Sequence, residues 1–118
     1  MQLTPEEIEP ISNDGGTYLG SSRGDQDPVE MVDYLQRRKI NILFTVGGDG
    51  TQRGALDIAC EADERGYEIS VVGLPKTIDN DVAGTDITFG FDTALGIATE
   101  AIDRVHSTAS SHNRVIVV

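Results

Sequence analysis

Two short stretches of this chain carry the residue types that chemistry needs. The first is Val46-Gly47-Gly48-Asp49-Gly50-Thr51. Glycines let an anion approach the backbone closely, and a helix opening at that point aims its N–H groups at the anion. Asp49 adds a carboxylate that repels phosphate unless a divalent cation lies between them, and Mg²⁺ held by one or two carboxylates plus phosphate oxygens suits that need. A tight strand-to-helix turn in which Asp49 only caps the helix fits the same residues, so this motif alone leaves both readings open. The second stretch is Pro75-Lys76-Thr77-Ile78-Asp79-Asn80-Asp81. A carboxylate near a cation keeps a low pKa, while a second can take a proton from a hydroxyl. A solvated Asx-rich turn is the plainer alternative for that loop. Together the two stretches supply a metal ligand, a donor cradle, a base and a cation, the parts list of phosphoryl transfer. Neither Gly-x-x-x-x-Gly-Lys-Ser/Thr nor Gly-x-Gly-x-x-Gly occurs, which sets aside the P-loop and the simplest dinucleotide fold.

The remaining reactive residues carry less. Arg23 sits in the flexible run Gly20-Ser21-Ser22-Arg23-Gly24, from which it could reach a phosphate, although such an arginine is ordinarily a surface residue. Arg23-Gly24-Asp25 spells an adhesion tripeptide and is taken as chance. His106 and His112 lack metal-ligand spacing, and Cys60 lies beside the apolar stripe of its helix as a packed thiol.

The elements that must position these loops follow from periodicity. The segment before about Gly24 is irregular, with at most a short strand at 17–19. Asp27 then caps a helix with Pro28 at its first position, and Val29, Val32 and Leu35 form one apolar stripe running to about Arg38. Residues 41–46 are a short apolar run of the kind buried on both faces of a sheet. A helix is predicted from Thr51, with Ala55, Ile58, Ala59 and Ala62 on one face and Gly66 as its stop. Residues 68–74 form the next strand and Pro75 ends it. Asp92 or Thr93 caps a long helix carrying Leu95, Ala98, Ile102 and Val105, and residues 114–118 begin another Val/Ile strand. Strands alternating with helices imply a parallel sheet covered on both faces. Both chemical loops follow strand carboxyl ends, the edge where such sheets gather ligands.

Composition bounds the partners. The chain has 118 residues, 38% hydrophobic and 25% charged, as in a soluble globular protein. A net charge of −11 with only nine Lys and Arg argues against a nucleic-acid surface, which needs clustered cations. No apolar run is long enough to span a bilayer, the acidic start is unlike a secretory signal, and the single Cys60 fits a reducing compartment. The expectation is a cytoplasmic protein without nucleic-acid or membrane partners.

Gly-Gly-Asp-Gly-Thr is shared with NAD kinases and diacylglycerol kinases. Followed by the loop at 75–81 and by Thr88-Phe89-Gly90-Phe91-Asp92-Thr93-Ala94, the sequence resembles the 6-phosphofructokinase family from about Gly15 to Val118. Residues 16–24 and 41–55 are similar to the plant-like and protist-like members, while residues 1–14 form an irregular N-terminal segment matching nothing. The resemblance implies a Rossmann-like three-layer α/β sandwich with a mostly parallel sheet, incomplete at both ends, so that residues 15–118 are part of a nucleotide-binding domain.

The resemblance also assigns roles. It implies that Asp79 takes the proton from the C1 hydroxyl of fructose 6-phosphate, with Lys76 beside it. Asp81 lies near substrate and metal, and Thr77 contacts the substrate. Asp49 is the Mg²⁺-associated aspartate, and Gly48, Gly50 and Thr51 form the nucleotide-phosphate turn. Arg23 lies near the transferred phosphoryl group, and Arg114 reaches a neighbouring subunit's sugar phosphate, so a homo-oligomeric parent is implied. Pyrophosphate-using members typically carry Asp at the position of Gly50 together with Lys at that of Lys76. Gly50 with Lys76 is the mixed pattern of plant-like and protist-like ATP enzymes. A carboxylate at position 50 would repel the α-phosphate of ATP, so ATP is the expected donor, with pyrophosphate as the alternative. A non-catalytic relative is a further alternative, against which stand Asp49, Thr77, Asp79 and Asp81. The family's first strand should precede Gly15 and its sugar-phosphate half should follow Val118. The isolated chain is therefore expected to have little or no kinase activity.

Overall fold

The structure is a computed structural model that describes residues 3–22, 24 and 26–117. Helix α1 (Pro5–Ile8) runs into a 3-10 turn at Glu9–Asn13, followed by α2 (Pro28–Arg37), β1 (Ile42–Gly47), α3 (Asp49–Glu64), β2 (Ser70–Pro75) and α4 (Phe91–Ser111). The segment expected to be irregular thus carries helical turns. Pro5 supplies a helical φ, and Glu7 Oε2 accepts from the Thr4 N–H at 2.9 Å. No strand forms at 17–19; Gly20 instead closes a turn onto the Thr17 carbonyl.

Capping chemistry sets the helix boundaries. Asp27 accepts from the Val29 N–H at 2.9 Å and Pro28 stands at the first helical position, which fixes the start of α2 where the sequence puts it. All three long helices end in one backbone motif. A left-handed residue follows the cap: Lys39 after α2, Gly66 after α3 and Asn113 after α4. The next N–H then reaches back to a carbonyl of the last turn, as Tyr67 does to Ala62 at 2.8 Å and Ile40 to Leu35 at 3.0 Å.

β1 and β2 pair in parallel, with Ile42 opposite Ser70, Thr45 opposite Gly73 and Gly47 opposite Pro75. α3 is the crossover between them and packs on both strands, and α2 packs on α3. The core is the layer between: Val32 and Leu35 of α2 meet Ile58 and Ala62 of α3, with Leu43, Ile69 and Val71 against them. Arg65 ties the two helices, donating to Asp33, to Glu61 at 2.5 Å and to the Val29 carbonyl at 3.2 Å. Fully burying one Val or Leu side chain is worth about 1.5–3 kcal/mol, so this small cluster is the main cohesive unit.

The opposite sheet face is bare among the described residues: Ile42, Phe44 and Val46 are more than half exposed. The sequence expects a strand covered on both faces; here both packed helices lie on one side, and α4 packs on neither strand nor helix. Residues 114–117 form no strand, contrary to expectation, because no described strand pairs with them, and Val115 and Val117 are over 90% exposed. Strand hydrogen bonding needs a partner, whatever the local propensity. α4 also opens earlier than expected, at Phe91, with Gly90 at φ 100° in place of an Asp92 or Thr93 cap.

Candidate functional site

The carboxyl ends of β1 and β2 carry the two chemical loops, and the structure brings them into contact. Gly47 ends β1, Gly48 is the N-cap of α3, and Asp49, Gly50 and Thr51 form its first turn. No side chain caps this helix, so its first N–H groups are unsatisfied donors pointing off the sheet edge. They combine with the positive end of the helix dipole into a place that favours an anion. Gly47 is required sterically, since a Cβ there would stand 2.2 Å from Thr51 Oγ1. At Gly50 an added Cβ meets nothing within 4 Å, so no packing contact requires glycine there.

The second loop leaves β2 beside the first. The Lys76 N–H donates to the Gly47 carbonyl at 2.9 Å, and a Cβ on Gly48 would lie 3.8 Å from Thr77 Cβ. The Thr77 hydroxyl donates to Asp79 Oδ2 at 3.1 Å and accepts from the Asp79 N–H at 3.1 Å, fixing that carboxylate against its own loop. Behind it stands Thr88, the one polar residue buried as a whole among the described residues. Its hydroxyl donates to the Thr77 carbonyl at 2.8 Å and its N–H to Asn80 Oδ1 at 2.9 Å. Asn80 itself holds φ 52°, a conformation Asn tolerates better than most residues. Phe89 completes the frame, donating to the Pro75 carbonyl at 2.8 Å and accepting from the Thr77 N–H at 3.1 Å.

Gly48, Asp49, Gly50, Thr51, Lys76, Thr77 and Asp79 therefore share one sheet edge, and Asp81 follows in the exposed loop beyond Asn80. Asp49 is half exposed and pairs with Arg53 Nη2 at 2.8 Å, one turn further along α3. No group of three or more His, Cys, Asp or Glu gathers into a metal-binding cluster among the described residues. One accessible carboxylate beside an anion-binding helix start suits a cation completed by phosphate oxygens, and does not suit an all-protein cage. Arg114 does not join this edge: it follows the far end of α4, roughly 30 Å along the axis from Gly90 at about 1.5 Å per residue. Arg23 lies outside the described residues.

Sequence reasoning missed three residues that hold the site. Gln52 falls on the apolar stripe of α3, three residues before Ala55, and a polar residue on a buried stripe was the available signal. Its amide donates to the carbonyls of Gly47 at 3.0 Å and Leu74 at 3.1 Å. Asn80 and Thr88 gave no periodic signal, because their partners lie across a loop.

Two loops at the carboxyl edge of a parallel sheet, with helices packed on it, define an α/β protein of Rossmann-like build. The chain belongs to the phosphofructokinase family, which it matches over residues 1–118, so the family match takes in residues 1–14, for which the sequence alone suggested none. It is 57% identical over 113 residues to an ATP-dependent 6-phosphofructokinase of Trypanosoma brucei brucei, covering 96% of this chain and 23% of the relative. It is 52% identical over 111 residues to a pyrophosphate–fructose 6-phosphate 1-phosphotransferase of Streptomyces coelicolor, covering 88% of this chain and 30% of the relative. The crystal structure of a pyrophosphate-dependent phosphofructokinase from Marinobacter aquaeolei superposes with a TM-score of 0.79 at 30% identity, covering 91% of this chain and 28% of that one. The chain thus spans about a quarter of the length of the relatives it matches. No helix among the described residues is long and apolar enough to cross a membrane.

Proposed function

We propose that these residues form the loop pair of an ATP-dependent 6-phosphofructokinase that sets the phosphoryl donor against the acceptor hydroxyl. The observation that carries this reading is the meeting of the two loops, with the Lys76 N–H on the Gly47 carbonyl and Gly48 against Thr77. In this reading the free N–H groups at Gly48, Gly50 and Thr51 bind donor phosphate oxygens. Asp79, held by Thr77, accepts the proton of the C1 hydroxyl of fructose 6-phosphate. That oxygen forms the new bond to the γ-phosphorus as the bond to the ADP oxygen breaks, yielding fructose 1,6-bisphosphate. Lys76 offsets the charge spread over the transferred group, a role Arg23 shares from the preceding segment. Asp81 and Thr77 contact the sugar phosphate.

Asp49 would hold Mg²⁺ by its exposed carboxylate. When bound, the ion neutralises phosphate charge and orients the donor. Arg114, remote from this edge, serves the sugar phosphate of a neighbouring subunit in a homo-oligomer. A cytoplasmic location is part of this reading, supported by the single cysteine, which fits a reducing compartment.

Pyrophosphate as donor is the second reading, favoured by Lys76 and by the naming of the Streptomyces relative for that donor. Gly50 favours ATP, since glycine sets no carboxylate against an α-phosphate.

The test is formation of fructose 1,6-bisphosphate by the complete reading frame with MgATP and fructose 6-phosphate. Asp79→Ser should lower turnover by about 10²- to 10⁴-fold while leaving MgATP binding intact by calorimetry. Unchanged turnover in that variant would remove Asp79 from the base role.

A further inference from the structure

The Gln52 side chain touches the root of each loop at once. Its Nε2 donates to the Gly47 carbonyl, one residue before Gly48, and to the Leu74 carbonyl, one residue before Pro75. Both partners are carbonyl oxygens, so only the NH₂ end of the amide can face them. Gly47 thereby accepts twice, from Gln52 and from the Lys76 N–H, and both lone pairs of the carbonyl that joins the strand ends are used. The other end of the amide needs room, and the sequence supplies it from the next strand. A Cβ on Gly73 would stand 2.0 Å from Gln52 Oε1. Gly73 stands between Val72 and Leu74 in β2, where a glycine weakens a strand.

We infer that Gln52 and Gly73 form a coupled pair that sets the register of the donor-side loop against the acceptor-side loop. Gln52 is thus a positioning residue for phosphoryl transfer, acting without touching either substrate. The inference rests on the phosphoryl-transfer reading of the two loops. The clamp has a geometric cause for its effect on rate. Asp79 and the helix start of α3 sit on different elements, and beyond the backbone ladder Gln52 is the side chain bonded to both strand ends. A misplacement of about 1 Å between reacting groups costs on the order of 100-fold in rate.

The pair offers a test that separates positioning from folding. A methyl at position 73 meets only the far end of a flexible side chain, so Gly73→Ala displaces the amide without a backbone clash. Gln52→Ala, Gly73→Ala and the double variant would be made in the complete reading frame, with kcat, both KM values and Tm measured for each. Each single variant is expected to lower kcat by roughly 10- to 100-fold with KM values changing less than about threefold. The double variant should be no slower than Gln52→Ala alone, because the methyl then has no amide to displace. Gln52→Glu should fail like Gln52→Ala, since a carboxylate cannot donate to two carbonyls. Losses that multiply in the double variant, or a normal kcat in Gln52→Ala, would overturn the inference. A fall in Tm with kcat intact would reduce Gln52 to a structural role and overturn it too. If the unsubstituted protein turns over with neither MgATP nor Mg-pyrophosphate, the functional reading fails. The clamp is then judged on Tm, where non-additive losses support the pair and additive losses overturn it.

Discussion

The two loops at the sheet edge are held in opposite ways. The loop at 47–51 turns on a side chain that is missing: Gly47 leaves the space that Thr51 fills, while at Gly48 and Gly50 an added Cβ would meet no clash. The loop at 76–89 is shaped by side chains that are present, with Thr77, Asn80 and Thr88 each bonded across it. An anion cradle needs bare backbone close to the ligand, while a base needs a carboxylate held at a fixed angle. The first loop is therefore broken by adding atoms at Gly47 and the second by removing its polar groups.

The largest expected effect lies on the acceptor side. Asp79→Ser should lower kcat by about 10²- to 10⁴-fold, the range for losing a general base, with Tm nearly unchanged because the carboxylate is exposed. Next is Gly47→Ala, where the methyl collides with the β-branched Thr51 and not with a flexible chain end. It should cost about 1–3 kcal/mol in urea unfolding and lower turnover with it. Adding Thr51→Ala should recover part of the stability.

Thr88→Val replaces the hydroxyl behind the acceptor loop with a methyl. It leaves the Thr77 carbonyl without the hydroxyl at 2.8 Å and should destabilise by about 1–3 kcal/mol in the same measurement. Thr88→Ser should restore most of it, and failure of that rescue would mean the methyl matters more than the hydroxyl. The smallest effect is a control at the opposite sheet edge. Lys39 holds φ 55° where Gly66 holds φ 65° after the next helix. Lys39→Gly should raise stability by about 1 kcal/mol with kcat unchanged.

The motifs visible in the sequence are those whose geometry is local. Asp27-Pro28 predicts the start of α2, Gly66 the end of α3, and the Gly-Gly-Asp-Gly run the turn after β1, because each is decided by a few neighbouring residues. Asp92 and Thr93 misled for an instructive reason. Both are good caps, yet the Phe89 bridge to Lys76 fixes the chain just ahead of them, and α4 begins at Phe91. Residues 114–117 have strand composition but no described strand beside them, so propensity alone did not make a strand. Of the site, the residues facing outward were legible, because carboxylates and glycines in a short loop stand out. Gln52, Asn80 and Thr88 were not, since their partners are up to 22 positions away and only the folded sheet edge brings them together.

The most direct measurement compares donors: fructose 6-phosphate phosphorylation by the complete reading frame, with MgATP and Mg-pyrophosphate in parallel, for the natural sequence and for Gly50→Asp. The expected result is turnover with MgATP in the natural sequence and loss of that turnover in Gly50→Asp, as the new carboxylate faces the α-phosphate. Turnover with pyrophosphate alone would contradict the donor assignment while leaving the loop pair standing. No phosphorylation with either donor would contradict the claim that these two loops form a phosphoryl-transfer site.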